Sequence, residues 1–351
     1  MSDLAEDLPM SRRITIVDIA RVADVSTATV DRVLNGRPGV KAATIKRVMK
    51  AAAELGYVDE SDERARDVRP LWPVSFILPQ GSNRYITMLG RMIADMAPQL
   101  ERFSIRPTVE YISSFNPDLL GKALHRHAKT ADAVAFMGIE HPIVREAVNR
   151  IAAMDKPVIT LISDVASPGR TAYFGLDNRA AGRMAGYLLA RFIHKRPAKV
   201  AMIAGSLSYR AHGEREMGFL DILQELHPDI AVVGLREGHD DEALNYRQMR
   251  TLLSHHPDLD GIYNIGGGAS GVGRALKDAR RDQDVVFVGH GLTGDTREYL
   301  LDGTMDAVIT QSAEDTIVKC ASLIRDLREG RRGDASTDPM RIEVIFRENL
   351  P

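Results

Sequence analysis

Three groups of residues have types and spacings that could carry chemistry. Gly266-Gly267-Gly268-Ala269-Ser270-Gly271 fits G-x-G-x-x-G and lies between an apolar run, 261–265, and a helical pattern. That order suits a loop whose amides hold a pyrophosphate at a helix start, as in a dinucleotide-dependent enzyme. Such a site also needs an acid at the end of the next strand for the ribose hydroxyl. Here that strand, VVFVGHG, ends in His290-Gly291. The motif also falls in about the seventh strand–helix unit and opens no domain, so the glycines read as close backbone approach at a cleft. The imidazoles offer less. His125 and His127 on one helical pattern point about 200° apart at ~100° per residue, and His255-His256 has no further ligand nearby. No Gly-x-Ser-x-Gly elbow or Walker lysine occurs, and the single cysteine, Cys320, reads as core. These residues point to no catalytic centre, no metal and no cofactor, and the chain is expected to bind and not to catalyse.

The third group is VSTATVDRVLNG, Val25 to Gly36. Small polar residues at a helix start, with an arginine a turn later, are what a helix needs to enter the major groove N-terminus first. Thr27 and Ala28 let the backbone approach and can meet base edges or thymine methyls, while Arg32 can reach guanine O6 and N7. Ser26 and Thr29, with the open amides of the helix start, can hold phosphates. The charge distribution agrees. From Arg12 to Lys50 nine basic residues face three acidic ones, a net +6, whereas the whole chain carries −2, so the remainder sums to −8. A basic head on an acidic body implies a polyanion partner for the head alone.

Three elements must position these residues. Thr15 caps a first helix with Asp18 at its third position, and Ile16, Ile19, Ala20 and Ala23 follow at helical spacing. Ala23-Asp24-Val25 makes a tight turn. Ser26 caps a second helix that carries Val30, Val33 and Leu34 inward and ends at Asn35-Gly36. A third runs from about Lys41 to Leu55 and stops at Gly56. The set is a helix-turn-helix over 12–58, although caps and periodicity alone would also suit a plain three-helix lump.

The run TIVDIARVADVSTATVDRVLNGRPGV, followed by KAATIKRVMKAAAELGYV, resembles the DNA-binding head of the LacI/GalR transcriptional repressor family over about 45 residues. The resemblance implies that Thr27, Ala28 and Arg32 read bases and that Tyr57 closes the third helix against the head's core. Thr15, Ser26, Thr29, Asn35 and Lys41 complete the expected DNA-contacting set. Lys41 stands where the family usually has a serine cap. The family's hinge helix, with its apolar minor-groove wedge, corresponds to 59–71. That stretch has no leucine between Asp59 and Pro70, carries five acids and is closed by Pro70, with Pro73 just beyond, so a plain linker is expected there.

From Val74 onward, apolar runs (VSFILP, TVEYI, DAVAFM, PVITLI, KVAMIAG, IAVVGL, GIYNI, VVFVGH) alternate with helical patterns. This is the α/β pattern of parallel strands covered on both faces, and it holds more units than one sheet usually does, so two lobes are expected. The body resembles the type I periplasmic sugar-binding proteins, the usual effector domain of the repressor family. That resemblance implies lobe 1 at about 72–175 and 305–335 and lobe 2 at about 176–304 and 336–351, with ligand between them. Matched residue by residue, the expected effector-binding set is Asn83, Arg84, Tyr85, Asp164, Arg215, Asn264, His290 and Gln311. The match is displaced by two residues at Asp164 and uncertain by one at Asn264. His290 stands where the family commonly has Asp. The face of Met88, Met92 and Met96 is read as core, with a dimer surface as the alternative.

The sequence thus implies a DNA-binding regulator, a repressor by resemblance, working as a homodimer on a palindromic operator. Its expected effector is carbohydrate-like: a sugar, polyol, sugar acid or sugar phosphate. The competing reading is an NAD(P)- or sugar-binding enzyme carrying a DNA-binding head. No apolar run approaches the ~20 residues of a membrane span, the N-terminus lacks an apolar signal core, and one cysteine excludes an intrachain disulfide framework. A cytoplasmic protein is expected.

Overall fold

The computed structural model describes residues 14–35, 37, 40–57, 71–113, 115–331 and 338–351. The expected hinge or linker falls almost wholly outside them, and the chain forms two compact units, 1–71 and 72–351.

In the first unit, α1 (Ile16–Ala23), α2 (Thr27–Leu34) and α3 (Ala42–Glu54) surround a small core of Ile19, Ala20, Ala23, Val30, Val48, Ala51 and Ala52. Asp18's carboxylate accepts from Thr15's amide and hydroxyl at 3.0 and 2.7 Å, which fixes the start of α1. Asp24 then turns the chain in the left-handed region (φ 52°), a conformation that Asp tolerates better than most residues. Ser26 Oγ accepts Thr29's amide, satisfying one open donor of α2. Lys41 is the N-cap of α3 with no side-chain cap bond, so the expected departure from a serine cap leaves that helix start uncapped. At the far end Gly56 (φ 70°) lets Tyr57's amide reach Ala52's carbonyl at 2.8 Å. The Tyr57 ring itself is exposed, so it does not close the core as the resemblance implied: its contribution is the backbone cap.

The second unit contains two sheets. The first has the order β2–β1–β3–β4–β5, all parallel, from β1 (Trp72–Gln80), β2 (Ile105–Ser113), β3 (Ala133–Phe136), β4 (Val158–Leu161) and β5 (Ala172–Phe174). Its helices are α4 (Arg84–Asp95), α5 (Pro117–His127) and α6 (Pro142–Ala152). The second sheet has the order β11–β10–β9–β8–β6–β7, from β6 (Ala198–Ala204), β7 (Ile230–Glu237), β8 (Gly261–Asn264), β9 (Val286–His290), β10 (Ala307–Thr310) and β11 (Glu343–Ile345). Its helices are α7 (Asn178–Phe192), α8 (Arg210–Leu226), α9 (Glu242–His255), α10 (Ala269–Asp278) and α11 (Gly294–Asp302). α12 (Ala313–Arg328) returns to the first lobe and packs on α4 and β5. Central strands such as AVAF, VITL and GIYN are buried at every residue, as strands covered on both faces must be. The antiparallel edge strand β11 is the exception to the parallel pattern.

The second crossing between lobes falls later than the residue-305 boundary read from the sequence. β10 hydrogen-bonds to β9 and β11, so 307–310 belong to the second sheet, and the chain leaves it only at Gln311. The first and last crossings are joined through a Leu176–Met340 bridge, with Met340's amide donating to Gly175's carbonyl. The helix that follows β1 begins at Arg84, capped by Asn83, ends at Asp95 and restarts as a short turn at Ala97–Leu100. Met96 is buried, and Met88 and Met92 pack half-buried against the core, which favours the core reading of that face.

Candidate nucleic-acid interface and ligand cleft

On α2 the side chains divide by role. Val30 is fully buried and anchors the helix. Ser26 Oγ and Thr29 Oγ1 bond each other at 2.8 Å, and Asn35 Nδ2 turns back to Asp31's carbonyl and carboxylate at 3.0 and 2.8 Å. Thr27, Ala28 and Arg32 are exposed, with Ala28 and Arg32 four residues apart on one face. Arg32 has no side-chain partner among the described residues, unlike Arg21 and Arg37, which pair with Asp18 and Asp31. The residues expected to read bases are therefore the uncommitted ones, whereas Ser26, Thr29 and Asn35 spend side-chain capacity on shaping the helix. Thr15 is likewise tied to Asp18, and Lys41 is exposed.

In the body, loops at the carboxyl ends of β1, β3, β4, β6, β8, β9 and β10 converge between the lobes, at the switch points where strand order reverses. They enclose a cavity of about 50 Å³, bordered by Asn83, Tyr85, His212, Arg215, His290 and Gln311, with Ile86, Met137, Ile162, Leu176 and Ile309 among its apolar wall. At ~10–15 Å³ per water it has room for a few water-sized groups. A larger space of about 620 Å³ lies outside it, along α4 and the starts of α10 and α11. The larger space is walled by exposed side chains such as Arg84 and Arg91 together with half-buried ones such as Met88 and Thr293. The smaller one holds the buried polar groups and is the better ligand site.

Arg215 is the centre of the inner cavity. It is 7% exposed, and its Nε donates to Asn178 Oδ1 at 2.8 Å and its Nη1 to Ile265's carbonyl at 2.9 Å. Burial lowers its basicity, the largest influence on it, and nearby Tyr263, Tyr173 and Tyr85 oppose that only in part. An arginine stays charged regardless. Two neutral imidazoles adjoin it. His290 Nε2 lies 2.7 Å from the Tyr263 hydroxyl, and burial holds the ring well below the ordinary imidazole range. His212 Nδ1 lies 3.1 and 2.9 Å from the amide and carbonyl of Ser206, and burial lowers it too.

The other expected effector residues separate into three groups. Asn83, Tyr85 and Gln311 border the cavity and also fasten the lobes. Asn83 Nδ2 donates to Asp240 Oδ2 at 2.9 Å and Tyr85's hydroxyl to Gln311's carbonyl at 3.2 Å. Gln311 Nε2 is held by Thr316. Arg84 stands outside the inner cavity, 2.9 Å from Asp295 and 4.0 Å from Glu242 of the second lobe. Asp164 and Asn264 border neither cavity. Asp164 accepts from Thr160 and pairs with Arg170, and Asn264, fully buried, donates to the carbonyls of Gly266 and Gly267. Those two therefore shape the walls.

Asp240 and His212 were missed from the sequence. Asp240 sits in the left-handed region (φ 56°) directly after His239 (φ 50°) and is buried. Its Oδ1 accepts Gly267's amide at 2.6 Å while Oδ2 accepts Asn83, so one carboxylate ties both lobes to the glycine loop. A Cβ on Gly266 or Gly267 would lie 2.5 Å from Asp240 Oδ1 or 2.9 Å from Asn83, which explains the glycines as close approach. The His239-Asp240-Asp241 cluster after an apolar strand was the available signal, but nothing in one dimension says which strand it faces. No group of three His, Cys, Asp or Glu side chains fit to hold a metal ion occurs among the described residues.

A three-helix head with an uncommitted second-helix face, in one chain with a two-lobed cleft fold, defines a helix-turn-helix regulator with a binding-protein body. Residues 74–332 match the periplasmic binding protein domain and residues 15–60 the bacterial regulatory proteins of the lacI family. The chain belongs to the periplasmic binding protein domain family over most of its length and carries a lacI-family head. Among curated proteins it is 29% identical to catabolite control protein A of Priestia megaterium over 213 residues, 60% of this chain and 61% of that one. It is 25% identical to catabolite control protein A of Staphylococcus xylosus over 245 residues, 70% and 72% of the two chains. The matched stretch thus spans less than two thirds of the first relative's length. The body superposes on a glucose-galactose binding protein from Geobacillus stearothermophilus with a TM-score of 0.71 at 24% identity, covering 80% of this chain and 99% of that one. A periplasmic solute binding protein from Actinobacillus succinogenes with bound D-allose gives 0.72 at 19% identity, covering 79% and 98%. No helix among the described residues is long and apolar enough to cross a membrane.

Proposed function

We propose that this protein is a sequence-specific DNA-binding transcriptional regulator whose operator affinity is set by a small molecule bound between the lobes of its body. The observation that carries the reading is the face of α2: Thr27, Ala28 and Arg32 are exposed beside a buried Val30 anchor, on a head with a net basic charge. Such a helix presents base-contacting groups N-terminus first, with its open amides available to phosphate. Two heads are needed for useful specificity, because one reads only a few base pairs, so the working form is a homodimer on a palindromic operator in the cytoplasm. The relatives' regulatory name and the sugar-binding neighbours support a carbohydrate-like effector. The family is one of regulators and binding proteins, which weighs against the competing enzyme reading.

The test is operator selection from random duplexes, followed by affinity measurement with the Arg32→Ala variant. The selected operator should lose on the order of 1–3 kcal/mol while random DNA is bound nearly as before. An equal loss on both would mean that Arg32 only holds phosphate. Failure to enrich any sequence would overturn the reading.

A further inference from the structure

We propose that the ligand of the inner cavity carries a single carboxylate, which Arg215 receives. This rests on the reading of the cleft as the effector site and deepens it. Of the five N–H groups of a guanidinium, Arg215 gives one to Asn178 and one to Ile265's carbonyl. Three remain without a protein acceptor among the described residues, enough for a forked pair of bonds to a carboxylate. The side chain is 7% exposed, borders the cavity and has no carboxylate within 4.0 Å among the described residues. Asp240 favours the charged form from beyond ion-pair distance, so a charge held so deeply has no directly bonded counter-ion, and a ligand anion would relieve the cost of its burial.

The acids that might have neutralised it are engaged elsewhere. Asp240 holds Gly267's amide and Asn83, and Asp164 holds Thr160 and pairs with Arg170 at 3.2 Å. Among the described residues no Asp or Glu borders the cavity, and the strand end before Gly291 supplies an imidazole in place of an acid. A neutral polyol would need acceptors for its hydroxyl protons and would leave the guanidinium uncompensated. A phosphate, at about −1.5 to −2, would exceed the one fixed positive charge. The aliphatic wall and small volume suit a compact acid.

The experiment uses the full chain, thermal shift and calorimetric titration, and matched sets: D-gluconate, D-glucose and D-glucose 6-phosphate; D-galacturonate, D-galactose and D-galactose 1-phosphate; D-glycerate, glycerol and glycerol 3-phosphate. In at least one set the acid should bind on the order of tenfold to a hundredfold tighter than both partners. The methyl ester of that acid, equal in shape but uncharged, should lose the advantage in the unaltered protein. Arg215→Lys should weaken the acid selectively, and the ester comparison stands even where that variant folds poorly. Preference for a neutral sugar or for the ester overturns the carboxylate but leaves the cleft reading intact. Preference for a phosphate overturns the single charge. If no compound binds and none alters operator affinity, both the inference and the cleft reading fail.

Discussion

His290 shows how a single residue's environment becomes a property of the protein. Its half-buried ring lies 2.7 Å from the Tyr263 hydroxyl, and desolvation first, then the charges of Arg215 and His212, lower its affinity for a proton. His212 is lowered as well, again by burial first. In the unfolded chain both rings take up protons near pH 6.5. With folded-state values depressed, the stability they confer is complete above about pH 6.5 and is lost as pH falls below it. The slope approaches ~1.4 kcal/mol per pH unit for each ring. Urea unfolding of the protein should therefore show stability falling between pH 7.5 and 5.5, and His290→Asn should flatten that fall. An unchanged slope in the variant would mean that the folded ring protonates freely. Carboxylates held below their ordinary range, such as Glu110 by its bond from Arg126, act in a lower pH window and do not confuse the result.

Among the elements, the pairing of α7 with α8 bears most on the site, because α8 carries Arg215 and α7 carries its partner Asn178. The two helices meet at backbone contact. A Cβ on Gly182 would lie 2.0 Å from Arg215's carbonyl oxygen, and one on Gly218 would lie 2.0 Å from Arg179's. Neither contact can be relieved by turning a side chain, so the helices would have to part. Gly182→Ala should destabilise the protein by roughly 1–3 kcal/mol and weaken ligand binding by displacing Arg215. Gly213, also on α8, has open space where its Cβ would be. Gly213→Ala should stabilise by ~0.5–1 kcal/mol through helix propensity. Chemical denaturation of the two variants checks both signs, and a destabilising Gly213→Ala would refute the packing argument. The pairing is legible in the sequence only as helical glycines, since spacing does not reveal which helix a glycine faces.

At the scale of the body, several contacts fasten the lobes beside the cavity. Asn83 bonds Asp240, Ser82 bonds Asp240's carbonyl, and Arg84 pairs with Asp295. Beside them, Phe115 of the first lobe lies 5.2 Å from Tyr209 and 5.3 Å from His239 of the second, ring centre to ring centre. These contacts are unequal. Arg84 is largely exposed, and solvent and salt screen its pair. Asp240 is buried and holds two charge-assisted bonds. Small-angle scattering should accordingly find Arg84→Ala indistinguishable from the unaltered protein and Asp240→Ala shifted toward a more open body. The reverse order would mean that the exposed pair controls closure.

Periodicity, caps and turn residues are local quantities, and they determined what is local. The helix-turn-helix follows from Thr15-Asp18, Asp24, Ser26 and Gly56 acting within a few residues of themselves, and the alternation of buried strands with helices follows from continuous apolar runs. The site was legible to the same degree: Asn83, Tyr85, Arg215, His290 and Gln311 all follow strands or open helices, and the structure brings them to one cavity. Arg84, Asp164 and Asn264 carry the same local signal yet are turned to a lobe-to-lobe ion pair, to Arg170 and to the glycine loop. Asp240, 157 residues from Asn83, joins the site only because two sheets place their carboxyl ends face to face. Side-chain direction, burial and the partner of each charge depend on contacts distant in sequence. Only the tertiary structure decided which polar residues border the cavity and which hold its walls.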